Sequence, residues 1–147
     1  MQIRKCCCHP FLLNGVESDL RATEKKTSKS QLDEGDFIAR SSGKLIFLDK
    51  LLPRLFGNGH RILIFSQFKI MLDILEDYLN ARKISFDRID GSITGAKRKR
   101  AIDRFQMGDS SGKKHLSVMI LSTRAGGVGE LLFDSALIDV FYFFLMI

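Results

Sequence analysis

A chain of 147 residues, 45% apolar and 27% charged, is long enough for one domain with a real core and ordinary for a soluble globular protein. Its 23 Lys and Arg outnumber 17 Asp and Glu, giving a formal net charge of +6, a balance that weakly favours polyanionic partners. The three cysteines, Cys6, Cys7 and Cys8, are contiguous, which excludes a disulfide scaffold, fits a reducing compartment, and, with His9 adjacent, gives the wrong spacing for a tetrahedral metal site.

Met1 to Pro10 carries charge but no apolar signal core, so it does not read as a secretory leader. Met1 to Asn14 reads as a basic, then apolar lead-in. Glu17 to Asp36 is polar, without an apolar period, and is expected to be a flexible loop. From Ser42 onward, Leu45, Leu48, Leu52 and Leu55 recur at helical spacing. Ser41 or Ser42 is placed to cap that helix, Gly57 and Gly59 to end it, and Pro53 to kink its last turn.

Arg61 to Ser66 reads as a buried strand, followed by a helix over Ile70 to Ala81 with a broad apolar stripe. Ser85 to Ile89 is a short strand, Asp90-Gly91-Ser92 a turn, and Thr94 to Phe105 a helix with Ala101, Ile102 and Phe105 inward. Gly108 to Lys114 is a second polar loop, Leu116 to Leu121 a buried strand, and Ser122 to Gly129 a glycine-rich turn. Ala136 to Phe144 keeps the character of a further strand. The apolar run at the end, Val140 to Ile147, is far short of the ~20 residues that span a bilayer as a helix, so no membrane association is expected.

Alternating strands and helices predict an α/β fold, a mainly parallel sheet flanked by helices. Such sheets bind ligands beyond the carboxyl ends of their strands. Three polar turns land there: Ser66-Gln67, Asp90-Gly91-Ser92 and Ser122-Thr123-Arg124.

The stretch from Ser122 to Gly129 offers hydroxyls, backbone amides, close-approach glycines and the planar cation of Arg124, a set suited to phosphate oxygens. A structural turn needing glycine for positive φ accounts for the same residues equally well. A dinucleotide fingerprint fails, because Leu132 stands where the third glycine belongs.

Lys97-Arg98-Lys99-Arg100 places cations at a helix start, where the macrodipole disfavours them and an anionic partner would offset the cost. The alternatives are a solvated helix face or a nuclear import signal. Gly43-Lys44 and Gly112-Lys113 lack the rest of a P-loop. Asp33-Glu34-Gly35-Asp36 follows no apolar strand, so it does not read as an acidic magnesium motif. No catalytic residue and no metal ligand is assigned.

Six blocks, in order, resemble the Snf2-family chromatin-remodelling ATPases. Arg4-Lys5-Cys6-Cys7-Cys8-His9-Pro10 resembles their basic–Cys–Asn–His–Pro lead-in. Ser42-Gly43-Lys44-Leu45 and Asp49-Lys50-Leu51-Leu52-Pro53 look like the following helix. His60 to Gln67 resembles helicase motif IV, and Met71 to Leu79 continues the match. Arg88-Ile89-Asp90-Gly91-Ser92 and Leu121 to Gly129 look like the next motif and motif V. The resemblance runs from Gln2 to Gly129, is closest to the ISWI, CHD and CHD1-like groups, and implies a RecA-like helicase C-terminal lobe of an ATP-dependent double-stranded-DNA translocase.

By that resemblance, Ser66, Gln67, Gly91, Ser92, Ser122 and Thr123 track the DNA backbone, and Arg124, Gly127 and Gly129 lie at the nucleotide cleft. ATP and magnesium belong to the complete parent enzyme, held mainly by a RecA-like first lobe, and neither is expected to bind this chain tightly alone. Double-stranded DNA and nucleosomes are the implied partners, and the nucleus the implied compartment.

Cys8 stands where the family has Asn, and from Glu130 the match ends, without the arginine-bearing motif VI. The expected organisation is therefore a lead-in and flexible polar loop over 1–40, a partial lobe over 41–130, incomplete at its C-terminal end, and a divergent apolar tail over 131–147. Hydrolysis would depend on another lobe. A non-catalytic DNA-binding or protein-interaction module derived from such an ATPase is the alternative, and an unrelated nucleotide-binding α/β domain a third.

Overall fold

Residues 2–27, 33–107, 117–124 and 140–144 are described by a computed structural model. The elements in chain order are α1 (Gln2–Cys8), a 3-10 turn (Pro10–Leu12), α2 (Val16–Thr27), α3 (Glu34–Arg40), α4 (Gly43–Gly57), β1 (Arg61–Ser66), α5 (Lys69–Ala81), β2 (Phe86–Ile89), α6 (Gly95–Met107), β3 (Val118–Ser122) and β4 (Val140–Phe144). The strands form one sheet in the order β2-β3-β1-β4, and every pairing is parallel. The α/β architecture expected from the sequence is therefore the architecture found.

Why β1 and β3 read as apolar runs is plain from the two faces they serve. Side chains alternate along a strand. Ile62 and Ile64 of β1 and Val118 and Ile120 of β3 share one core with Leu45, Leu48 and Leu52 of α4 and Leu72, Leu75 and Leu79 of α5. Leu63, Phe65, Met119 and Leu121 point the other way, joining Ile89 to Ala101 and Phe105 of α6. A parallel sheet covered on both sides needs apolar residues at every position.

The helix ends follow from local chemistry. Beyond α4, the amide of His60 donates to Leu55 O at 3.0 Å and that of Gly59 to Phe56 O at 3.0 Å, with Gly59 at φ +77°. This is a glycine-closed Schellman ending, and the helix runs through Pro53 to reach it. The same pair of bonds closes α5, from Ile84 to Leu79 O and from Lys83 to Asn80 O, both 2.9 Å, but there Lys83 carries the positive φ.

The region 17–36 departs from the sequence-based expectation. Residues 17–27 and 34–36 are helical, in α2 and α3, and not a loop; residues 28–32 lie outside the described set. α2 lacks a wide apolar stripe, which is why periodicity misses it. Charge holds it instead. Glu17 and Asp19 sit in its first turn and Lys25 and Lys26 in its last, complementing the macrodipole. Arg21 bonds Glu17 at 2.9 Å, one turn away, pairs with Glu34 of α3, and lies 4.7 Å above the Phe37 ring.

The lead-in is likewise helical and docked. Fully buried His9 reaches Ile38 O through Nε2 at 3.1 Å and accepts the Phe11 amide at Nδ1. Its Nε2 therefore carries the proton, and burial pushes its pKa below the ordinary value. Ser42 stands at the N-cap of α4 as expected, but its hydroxyl donates to Cys8 O at 2.9 Å and makes no bond to the helix amides.

Candidate functional site

The three polar turns singled out from the sequence converge because their strands are neighbours in one parallel sheet. Ser66 ending β1 is in register with Ser122 ending β3, and Ile89 ending β2 is in register with Leu121. The amide of Thr123 donates to Ser66 O at 3.0 Å, so the turns after β1 and β3 are tied directly.

Each turn has its own support. Ser66 is fully buried. Its hydroxyl accepts the Phe68 amide at 3.2 Å and lies 3.3 Å from Phe68 O, so its side chain shapes the turn and Gln67 is what stands exposed there. Gly91 and Ser92 are exposed, Ser122 and Thr123 half-buried, and Arg124 exposed. Gly127 and Gly129, expected at the nucleotide cleft, lie outside the described residues.

Asp90 holds the turn after β2. It is 5% exposed and accepts both the amide of Ser92, at 2.9 Å, and its hydroxyl, the Asx-turn that Asp favours. Arg88 donates to its second oxygen through Nε at 3.1 Å and Nη2 at 2.9 Å. The Ser92 bonds first, then the Arg88 cation, hold the Asp90 carboxyl down at about 2.

Arg88 also bonds Asp73 at 2.6 Å and Glu76 at 2.9 Å, both on α5. Lys69, at the start of α5, comes within 3.8 Å of Asp90. The turn after β1 and the turn after β2 are thereby bridged by charge. Arg88, Asp73 and Glu76 entered the sequence reading only as members of matching blocks, and neither they nor Lys69 were named as site residues. An Arg two residues before a turn Asp is the one local signal that could have raised the first.

Chemically, this edge presents hydroxyls, amides and cations. The carboxylates described at it, Asp73, Glu76 and Asp90, are all answered by Arg88. Such a surface suits phosphate oxygens.

The basic run does not act as one patch. Four consecutive residues span the circumference of a helix, and they separate accordingly. Lys97 and Arg100 line an open cleft of about 300 Å³ together with Arg104, Asp87, Arg88, Ile93 and Ala101. Arg98 is half-buried and Lys99 exposed, and neither lines the cleft. Arg104 pairs with Asp87 of β2 at 2.9 Å, and burial raises the Asp87 carboxyl. Arg61, at the other end of α6, donates to the carbonyls of Phe105, at 2.7 Å, and Gln106, closing that helix as a C-terminal cation does.

Comparison with known proteins gives these residues a setting. The helicase conserved C-terminal domain model matches residues 43–134. Chromodomain-helicase-DNA-binding protein 7 of Gallus gallus is 47% identical over 133 residues, 88% of this chain and 4% of its own length. The chain thus spans a small part of the curated relatives it matches.

The crystal structure of the C-terminal part of the Fun30 ATPase domain is 35% identical with a TM-score of 0.54, covering 81% of this chain and 36% of that one. The Sulfolobus solfataricus SWI2/SNF2 ATPase core in complex with double-stranded DNA, 21% identical with a TM-score of 0.58 over 82% of this chain and 21% of that one, shares the fold. Sequence blocks, parallel sheet, family model and relatives agree: the chain belongs to the helicase conserved C-terminal domain family, as a C-terminal lobe of the Snf2/CHD type.

Proposed function

We propose that this chain acts as the second ATPase lobe of a nuclear, ATP-dependent DNA translocase that remodels nucleosomes, gripping the phosphate backbone of duplex DNA with the turns at the carboxyl edge of its sheet. The observation that carries this reading is the convergence of Gln67, Gly91, Ser92, Ser122 and Thr123 on one edge, held from behind by Asp90, Arg88 and the buried Ser66. Groups of this kind recognise the backbone and not the base edges. The similar Sulfolobus core, solved with double-stranded DNA, supports the choice of duplex.

Hydrolysis falls to a partnership. ATP bound between this lobe and a RecA-like first lobe supplies the free energy for movement. On this side, Arg124, exposed beside Thr123, would meet nucleotide phosphate, with Gly127 and Gly129 as the further cleft residues. Phosphoryl transfer also needs a phosphate-binding lysine and an acid for magnesium, and these belong to the first lobe.

The test is fluorescence anisotropy of the full chain with labelled duplexes of unrelated sequence at low salt. Similar weak affinities for all duplexes are expected, falling steeply with salt as counterions are displaced. Gln67→Glu with Thr123→Asp, which set two anions against the phosphates, should weaken binding by about tenfold, or roughly 1.4 kcal/mol. No binding by the wild-type chain at low salt would sink the proposal.

A further inference from the structure

We infer that the cleft between β2 and α6 is a second phosphate-binding site, in which Lys97 and Arg100 hold the backbone of the same duplex beside the carboxyl-edge turns. This inference rests on the duplex reading above and adds to it a lateral contact with named residues.

The argument is one of charge accounting. The cleft is lined by four cations, Arg88, Lys97, Arg100 and Arg104, and by one acid, Asp87. Two of the cations are already answered: Arg88 by Asp73, Glu76 and Asp90, and Arg104 by Asp87 at 2.9 Å. Lys97 and Arg100 have no acidic partner among the described residues, and both are exposed. They stand one turn apart on one face of α6, where a helix brings residues three apart together.

Two unanswered cations in a concave surface, over a floor whose other charges are internally balanced, select an anion with at least two negative groups. Successive phosphates of a nucleic-acid strand fit that description. The position fits as well. α6 begins directly after the Asp90 turn, so its first turns lie at the edge that carries Gly91 and Ser92. Lys97 in the first turn also opposes the helix macrodipole, an unfavourable placement that a bound phosphate relieves.

The alternative, that the whole run attracts polyanions diffusely, makes a different prediction for Lys99. Lys99 is exposed, like Lys97, but lies on another side of the helix, outside the cleft.

The experiment is duplex binding by the full chain, measured as anisotropy across a salt series, for wild type, Lys97→Ala with Arg100→Ala, and Lys99→Ala. Each phosphate contact contributes about 0.9 to the slope of log affinity against log salt. The double variant should therefore lose about 2 from the slope, so that its affinity between 50 and 200 mM salt falls roughly tenfold less than that of wild type. Lys99→Ala should keep the wild-type slope. Both sites are exposed, so the melting temperatures should match wild type, and a charge-reversed pair, Lys97→Glu with Arg100→Glu, should weaken binding further.

An unchanged slope in the double variant, with wild type binding normally, overturns the cleft and leaves the carboxyl-edge reading intact. An equal loss per charge in Lys99→Ala overturns it too, in favour of diffuse attraction. Absence of wild-type binding overturns both readings together.

Discussion

Two arginines in this chain make the same kind of knot to different ends. Arg82, capping α5, bonds Asp49 at 2.9 and 3.0 Å and Asp36 at 2.7 Å, and lies 3.8 Å from Asp33, while Tyr78 donates its hydroxyl to Asp49 at 2.6 Å. Gly35 passes so close that a Cβ there would meet the Arg82 side chain at 3.2 Å. Arg88 likewise gathers three carboxylates. The first knot joins α3, α4 and α5. The second joins β2 to α5 and fixes the shape of the Asp90 turn.

Burial separates them further. The Arg88 side chain is 13% exposed against 26% for Arg82, and Asp90, at 7%, is the one buried acid in either knot; Asp73 and Glu76, at 53% and 34%, are as open as the acids around Arg82, which are between 32% and 63% exposed. Nearly identical chemistry is therefore architecture in one place and site construction in the other, and the more buried knot is the one beside the candidate phosphate-binding edge.

Breaking the two knots in turn tests that contrast. Arg88→Met leaves buried Asp90 with Ser92 and the more distant, exposed Lys69 as its partners, and stability measured by urea unfolding should fall by about 3 kcal/mol. Duplex affinity should fall with it, because the turn presenting Gly91 and Ser92 loses its anchor. A variant that unfolds as wild type does would show that the knot carries no energy.

Asp90→Asn probes the same turn through pH. The Asp90 carboxyl sits at about 2 in the folded chain against an ordinary 3.8. The unfolded chain thus binds that proton more readily, and the contribution is full above 3.8 and lost as pH falls towards about 2. Its size is on the order of 2 kcal/mol. The variant should lack this part of the acid limb of the stability profile, and a wild-type-like limb would contradict the assignment.

Arg82→Met gives the smallest change. Its partners are half in water, where ion pairs are worth at most about 1 kcal/mol. A loss of that order is expected, with the salt dependence of duplex binding unchanged. A shifted salt slope would tie the two knots together and erase the distinction drawn between them.

Much of the fold was legible because its determinants are local. The bounds of β1 fall where the sequence puts them, at Arg61 and Ser66, since an apolar run of that length between glycines and a polar turn has little else to be. α5 begins one residue before its predicted start for the same reason. α2 was not legible. Val16 and Leu20 are too few to make a stripe, and the ion pairs of Arg21 that hold the helix appear only once α3 is folded beside it.

The site divides along the same line. Its turns could be read from Gly, Ser and Thr at strand ends. The groups that hold them could not, because Arg88, Asp73 and Glu76 come together through pairing across elements, and the partition of Lys97, Arg98, Lys99 and Arg100 depends on which side of α6 meets β2.

The bond from the Thr123 amide to Ser66 O has a mechanical consequence. β3 is an inner strand, hydrogen-bonded to β1 across five registered pairs and to β2 across four. A pull on Thr123 from a gripped nucleic-acid strand, directed along the strand axis, would load those ladders in shear, with every rung strained together. Peeling β2 from the rim would break its rungs one after another at far lower force. If the chain acts as proposed, a grip seated at the end of an inner strand would bear the recoil of a translocation step before the sheet gives way.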